Sequence, residues 1–296
     1  MPDDAPLAPG LYLVATPIGN LNDITLRALD VLRRVDRIAC EDTRQTQKLL
    51  NHFQIATPTE SLHEHNEQAR ADSIIQFLRS GARIAVVSDA GMPGISDPGM
   101  ALTAAAIAAG IPVIPIPGAN AALSALVASG LPTAEFHFLG FLPEKAGQRR
   151  TRLEELAAAA SETPRTLVFY EAPHRILETL ADLEAVFGPE PPIVIARELT
   201  KIHEEFLRGP VAQVRSAMQT RDRIRGEITL LVQAPALGAS APALPGASIA
   251  NRIAQLQSEY GIDEKEALKR LARELDRSKS DLYRELQRER AARNKR

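Results

Sequence analysis

Five short polar clusters in the first 120 residues carry side chains able to do chemistry, and each directly follows a short apolar run. They are Pro17-Ile18-Gly19-Asn20, Glu41-Asp42-Thr43-Arg44, His63-Glu64-His65-Asn66-Glu67, Asp89-Ala90-Gly91-Met92-Pro93-Gly94 and Gly118-Ala119-Asn120. Glycine lets backbone groups approach a ligand closely, carboxylates and imidazoles move protons, and guanidinium groups grip phosphates. A further cluster, Arg197-Glu198 followed by Lys201 and His203, trails an apolar run later in the chain. No metal is expected. His63 and His65 alternate in a loop, which suits substrate contacts or surface residues better than a ligand set, and the lone Cys40 excludes a multi-cysteine zinc site.

The elements that must position these clusters follow from periodicity. Apolar runs at 11–16, 36–40, 58–62, 83–88 and 111–117 read as strands. Helices are expected between them at 24–35, 67–80 and 99–109. Strands alternating with helices call for a mostly parallel sheet with right-handed crossovers, and ligands then bind outside the carboxyl ends of the strands. All five clusters fall on that edge. Beyond them, strands at 136–141, 165–170, 193–198, 204–209 and 227–233 alternate less regularly with helices at 147–160, 173–187 and 210–218. Few residues separate the third and fourth of these strands, so they are expected antiparallel, in a mixed sheet.

Composition narrows the class. The chain has 296 residues, 45% hydrophobic and 24% charged, with a net charge of −2. The acidic, proline-rich start has no secretory pattern, and the apolar stretch near 101–109 is too short to span a bilayer, so a cytoplasmic location without membrane contact is expected. Charge is uneven: 247–296 holds 13 basic and 9 acidic residues, and the preceding body holds 22 and 28. A proline- and alanine-rich linker at 234–247 separates that basic tail, whose rhythm of helices at 248–260, 264–275 and 278–293 suits a helix–turn–helix. Such a module fits nucleic-acid contact, and it equally fits simple helix packing.

The segments LVATPIGNLNDIT, IACEDTRQTQKLL, HEHNE, VSDAGMPGISDPG, PIPGANAALSALVASGLP, FLPEK, FYEAPHR and ARELTKIHEE occur in this order. Together, over 11–233, they resemble the branch of the tetrapyrrole methylase superfamily that methylates a ribose 2′-hydroxyl of small-subunit ribosomal RNA. The resemblance implies two α/β domains, 1–117 with a parallel sheet and 118–233 with a mixed one, followed by the linker and the helical module at 248–296. It further implies S-adenosylmethionine in the cleft between the domains, a homodimer, and a cytidine in the decoding centre of 16S rRNA as target, on the assembled small subunit.

Carried onto this sequence, the cofactor segments are Pro17, Ile18 and Gly19; Ser88, Asp89, Gly91, Gly94 and Ile95; and Gly118, Asn120 and Ala121. The second domain adds Tyr170, Glu171, Ala172, Glu227 and Ile228. Two departures stand out. Asn20 replaces the aspartate of the tetrapyrrole branch's first loop, and Met92 stands where other branches have an aspartate, leaving Asp89 or Asp97 to supply a carboxylate. Methyl transfer from sulfur to oxygen needs nucleophile, carbon and sulfur in line, and a base or a cation to activate a poor hydroxyl nucleophile. Glu41 and Lys201 are the candidates near the hydroxyl, with Arg44 and Arg197 holding phosphates. Asp42, His63, His65, Asn66 and the basic run Lys145, Arg149, Arg150 complete the expected substrate contacts. Plainer readings stand beside these: Glu41-Asp42-Thr43 suits a helix cap, and the basic run suits a solvated helix face. Two other functions also fit parts of the pattern, a small-acceptor methyltransferase of the same fold and a non-enzymatic regulator with a DNA-binding tail.

Overall fold

The computed structural model describes residues 7–63, 66–159 and 163–234, and in the C-terminal segment 253, 256–257, 262–274, 279, 282–284 and 286–287. The chain divides into two compact units, Met1–Leu237 and Gly238–Arg296. Within the first, β1 (Gly10–Val14), β2 (Arg37–Cys40), β3 (Thr59–Ser61), β4 (Arg83–Val87) and β5 (Val113–Ile116) form one sheet in the order β3-β2-β4-β1-β5. Every pairing in it is parallel. The order places β4 and β1 centrally and the clusters that follow them side by side.

Both faces of this sheet are covered, which is why its inner strands read as nearly continuous apolar runs. One face packs Tyr12 and Val14 against α1 (Leu26–Arg34) and α2 (Thr43–His52); the other packs Leu11 and Val86 against α3 (Glu67–Arg79) and α4 (Met100–Ala108). Helix starts are set by side chains that satisfy the free N–H groups of the first turn. Thr25 accepts from the Ala28 N–H at 3.1 Å, and Asp42 accepts from the Arg44 N–H at 2.8 Å. The capping reading of Asp42 is therefore what the structure shows. Position 24 lies outside α1, because residues 21–23 form a short 3-10 turn first.

The second sheet runs β6 (Phe136–Phe141), β7 (Arg165–Glu171), β10 (Ile228–Ala234), β8 (Pro192–Arg197), β9 (Glu205–Pro210). Only β6 and β7 are parallel; the remaining pairs, β8 with β9 included, are antiparallel. Alternation along β8 shows the two faces: Ile193 and Ile195 join a core with α6 (Ala146–Ala158), α7 (Ile176–Phe187) and α8 (Val211–Gln219), while Val194 and Ala196 point the other way. That other face receives α5 (Ala121–Ser129) and, from the loop after β1, Ile18. Ile18 thus fixes the first strand-end loop onto the second sheet.

In the C-terminal unit, α9 (Glu264–Glu274) begins where Asp263 accepts from the Glu266 N–H at 2.8 Å. Ala267, Leu268 and Leu271 are buried with Ile253, Leu256, Leu282 and Leu286. The linker at 235–247, and most of the helices expected at 248–260 and 278–293, lie outside the described residues.

Candidate active site

Two cavities lie side by side at the carboxyl ends of β1 and β4. The loops after those strands are clamped together: the Thr16 N–H donates to the Gly91 carbonyl at 2.9 Å, the Gly91 N–H returns a bond at 3.1 Å, and the Ser88 hydroxyl donates to the same carbonyl at 3.2 Å. The first cavity, about 360 Å³, is walled on one side by Ile18, Gly91, Met92 and Ile95, with Asp97 beside them. Asn120 and Ala121 at the head of α5 close one end, and Tyr170, Glu171, Ala172, Glu227 and Ile228 form the opposite wall. The second, about 560 Å³, is lined by Pro17 and Gly19, by Ser88 and Asp89, by the first turns of α2, and by Lys201. The two share Ile18, Ala90 and Glu227, so a ligand in one adjoins a ligand in the other.

Their charges differ. Among the described residues no lysine, arginine or histidine lines the first cavity, which has three carboxylates in its wall. Two of these are engaged: Glu171 pairs with Arg175 and accepts from the Thr179 hydroxyl at 2.7 Å, and Glu227 accepts from Lys201 at 3.0 Å. The third, Asp97, is pushed up to about 6 by burial and by the neighbouring Glu41 carboxylate, with Asp89 adding to the rise and a hydrogen bond from Ser88 opposing it. Its turn is strained, since Ser96 before it has φ 61°. The second cavity has two lysines, Lys48 and Lys201, beside two carboxylates, Asp89 and Glu227.

Lys201 is held in place from several directions. Its Nζ donates to Glu198 at 2.8 Å and to Glu227 at 3.0 Å. Burial lowers its pKa, but those two carboxylates outweigh it and the net shift is upward. Lys201 is therefore an ammonium that donates hydrogen bonds, not a base. Its stem crosses Gly19, where a Cβ would stand 2.5 Å from the Lys201 Cγ. Glu198 (φ 52°) and Thr200 (φ 66°) adopt left-handed backbone conformations that ordinary residues avoid, and Gly226 (φ 90°) clears room for the Glu198 side chain. Strain of this kind costs about 1–3 kcal/mol per residue and persists where the surrounding structure overdetermines it.

The sequence-derived candidates sort unevenly onto this geometry. The cofactor set lines one cavity or the other except Gly94 and Gly118. Gly94 closes the loop by donating to the Pro98 carbonyl at 3.0 Å, and Gly118 lies against Ala15, where a Cβ would come within 2.8 Å. Asn120 both lines the cavity and caps α5, accepting from the Leu123 N–H at 2.9 Å. Glu41 is close enough to Asp97 to raise it, though it lines neither cavity. Arg44 is not poised over the cavities. Its exposed guanidinium folds back onto Asp42 at 2.9 Å, which holds the Asp42 carboxyl down at about 2.

Five expected substrate contacts have other surroundings. Arg149, placed by sequence in a phosphate-facing run, is 1% exposed and donates to Asp182 at 2.8 Å and to the Glu144 carbonyl at 3.1 Å. The reason is helical phase: it lies one turn before Leu153 on the buried side of α6. Arg150 reaches the same Asp182 at 3.0 Å, and Lys145 is exposed beside neither cavity. Arg197 donates to Glu205 at 3.0 Å and to the Arg225 carbonyl at 3.0 Å, a strand-to-strand tie and not a cavity contact. Asn66 is a loop clasp: its side chain accepts from the His63 N–H at 2.9 Å and contacts the His63 ring at 3.1 Å. His65 lies outside the described residues.

Sequence reasoning missed the α2 contribution. Gln45, Thr46, Lys48 and Leu49 face the second cavity, at the 1-3-4 spacing of one helix side. The available signal was positional: a helix that starts directly at a strand end must point its first turns at whatever binds there. One further tie crosses the site's edge. Glu67, buried at the start of α3, accepts from the Gly99 N–H at 3.1 Å and the Leu102 N–H at 2.8 Å.

Comparison with known proteins agrees with this arrangement. The family model for Tetrapyrrole (Corrin/Porphyrin) Methylases matches residues 10–215. A Halalkalibacterium halodurans protein named Ribosomal RNA small subunit methyltransferase I is 55% identical over 224 residues, covering 75% of each chain. The Synechocystis protein of the same name is 46% identical over 273 residues, covering 92% of this chain and 95% of its own. Among solved structures, a Thermus thermophilus uroporphyrin-III C-methyl transferase complexed with S-adenyl homocysteine aligns at a TM-score of 0.51 with 18% identity, over 75% of this chain and 96% of that one. A diphthine synthase aligns at a TM-score of 0.56 with 14% identity, over 76% and 89%. At such identities these structures speak to the fold alone.

Proposed function

The chain belongs to the tetrapyrrole (corrin/porphyrin) methylase family, and from that premise we propose that it methylates small-subunit ribosomal RNA from S-adenosylmethionine, at the ribose 2′-hydroxyl of a decoding-centre cytidine. The observation that carries this reading is the pair of adjoining cavities, one whose charged lining residues are all carboxylates and one that sets Lys48 and Lys201 beside Asp89 and Glu227. The first suits the donor. Ile18, Met92, Ile95 and Ile228 offer apolar walls to an adenosyl group, backbone groups approach at Gly91, and a wall whose charges are carboxylates favours a positive ligand. Bound there, S-adenosylmethionine supplies an electrophilic methyl on a charged sulfur. The second suits a nucleotide, with room for one and two ammonium groups to meet phosphate or a developing oxyanion. Relatives named for ribosomal RNA align over 75% of this chain or more, one of them over 92%, which favours this acceptor over a tetrapyrrole.

In this reading the chain's work is orientation and charge. Alignment of donor and acceptor supplies about 7 kcal/mol or more of the barrier where it is good. Lys201, fixed by two carboxylates at the shared wall, lowers the pKa of the incoming hydroxyl by placing a positive charge beside it. Phosphates meet Lys48 on α2. A second copy of the chain completes the assembly. Helix α5 is apolar on all sides, and Leu123 and Val127 stand exposed one turn apart on it, a stripe that a homodimer contact would cover. No described helix is long and apolar enough to cross a membrane, and a ribosomal acceptor places the work in the cytoplasm.

The test is direct. Purified protein is incubated with methyl-labelled donor and either small ribosomal subunits or a porphyrinogen, and the RNA is digested and mass-mapped. Label on a cytidine ribose of the decoding centre is expected. Label on the porphyrinogen, or on a base instead of a ribose, overturns the reading.

A further inference from the structure

The connection between β8 and β9 presents a side chain that methyl transfer to a bound nucleotide does not by itself explain. Ile202 stands at its tip and is 97% exposed, the highest value for a large hydrophobic side chain among the described residues. A single exposed apolar residue is ordinary on a protein surface, but this one is held out by a strained turn. Turn tips are commonly Gly, Asn, Asp or Ser and not β-branched residues, and the two left-handed residues before the tip, Glu198 and Thr200, are not glycine. Hydrogen bonds fix the turn in place. The Glu198 N–H donates to the Glu227 carbonyl at 3.0 Å and the Lys201 N–H to the Glu198 carbonyl at 3.0 Å. The Thr200 N–H donates to the Glu204 carboxylate at 2.7 Å, and the Glu204 N–H to the Lys201 carbonyl at 3.1 Å. Leu199 is buried in the same core cluster as Ile18, and Lys201 lines the second cavity. Ile202, next in the chain, projects outward. Leu21, 38% exposed in the wall of the same cavity, lies two residues after the Gly19 that the Lys201 stem crosses. The rim near Lys201 is therefore apolar, which suits a nucleobase and not a phosphate.

We infer that Ile202 is a wedge that enters the RNA stack in place of the nucleotide being methylated. This rests on the reading of the second cavity as the acceptor site. A ribose hydroxyl meets the donor's methyl group in line only if its nucleotide enters that cavity, whose volume of about 560 Å³ has room for one. The neighbouring nucleotides then stay outside, and the stack opens between them. Opening it is unfavourable, and proteins that do so commonly insert an apolar side chain such as Phe, Leu or Ile into the gap. Ile202 has the shape for this. A side chain so fully exposed is buried only by a partner that surrounds it, which a flat surface cannot do and a gap between two bases can. It also has the position, one residue from the lysine at the cavity wall. Rigidity completes the device, because a wedge on a yielding loop would give way to the stack instead of parting it. No covalent bond changes: the wedge lowers the free energy of the opened stack and leaves methyl transfer to donor and hydroxyl.

Small ribosomal subunits from cells lacking this protein, whose target is unmethylated, test this with the full chain. One readout is single-turnover methylation with labelled S-adenosylmethionine. The other is chemical acylation of ribose hydroxyls along the subunit RNA, with S-adenosylhomocysteine present to hold the complex without turnover. Wild type is expected to raise acylation at the nucleotides flanking the methylated one. Ile202→Ala is expected to bind donor and subunits, to lose that rise, and to methylate about tenfold more slowly, since a truncated wedge no longer offsets unstacking. Ile202→Leu, still aliphatic and of the same size, is expected to keep both. Urea unfolding of Ile202→Ala should match wild type, because so exposed a side chain has almost no packing to lose. An Ile202→Ala variant that keeps either the wild-type rate or the wild-type acylation pattern overturns the wedge. A dimer-to-monomer shift of that variant in sedimentation does so too, by assigning Ile202 to a contact between two copies of the chain. No methylation of subunits by wild type overturns the acceptor reading itself, and the wedge with it.

Discussion

The two cavities share three residues, the Glu227 carboxylate among them, and differ in their cations. Among the described residues, the first has three carboxylates and no cation in its wall; the second sets Lys48 and Lys201 beside Asp89 and Glu227. A single undivided cleft could not serve a cationic donor and a polyanionic acceptor equally, because charges that hold one repel the other. Here the partition is made by Ile18, which is buried against the second sheet, and by Glu227, which faces both cavities and keeps Lys201 at the boundary. On the reading proposed above, the difference teaches that selectivity for each ligand is built around separate cavities that meet only at a shared wall.

Three substitutions break or sharpen that contrast. The first concerns a third basic region, the run on α6. Were Arg149 a phosphate contact, Arg149→Leu would weaken acceptor binding and leave the fold alone. The buried pair with Asp182 predicts the opposite, a loss of about 3 kcal/mol in urea unfolding, the low end for breaking a buried pair, because Asp182 loses its buried donor and keeps only Arg150. Lys201→Met is expected next in size. It should lower kcat by about 10²–10³, the cost of removing one charge-stabilising donor, and leave the Kd for the donor within about twofold under a standing wall of Glu171 and Asp97. An equal loss in donor affinity would place Lys201 in the wrong cavity. Lys48→Ala gives the smallest effect: acceptor affinity falls several-fold, and the slope of log affinity against log salt drops by about one, with donor binding unchanged. A salt slope equal to wild type would remove α2 from the acceptor path.

Much of this was legible in the chain before the fold was known, and the gaps have physical causes. Strands and their order of appearance follow from apolar runs and glycine punctuation, so the five polar clusters were readable as one edge. Helix α5 was not, since AALSALVAS is apolar on every side and gives no amphipathic period to read. Arg149 was misplaced because an arginine beside Arg150 and Arg152 looks solvated, whereas its phase with Leu153 and Leu156 carries it inward. Asp89 and Asp97 were both legible as carboxylates that could replace the missing aspartate, but that they line different cavities, Asp97 the first and Asp89 the second, required the fold. The passage of the Lys201 stem over Gly19 joins residues far apart in sequence, and no local pattern encodes such a contact.

One carboxylate described above, Glu67, has a mechanical consequence. By accepting from both Gly99 and Leu102 it yokes the head of α3 to the head of α4. The first residue of α3 and the turn that leads into α4 are thereby tied to one another across 32 residues of chain. One buried side chain thus sets the spacing of two helix starts that follow different strands.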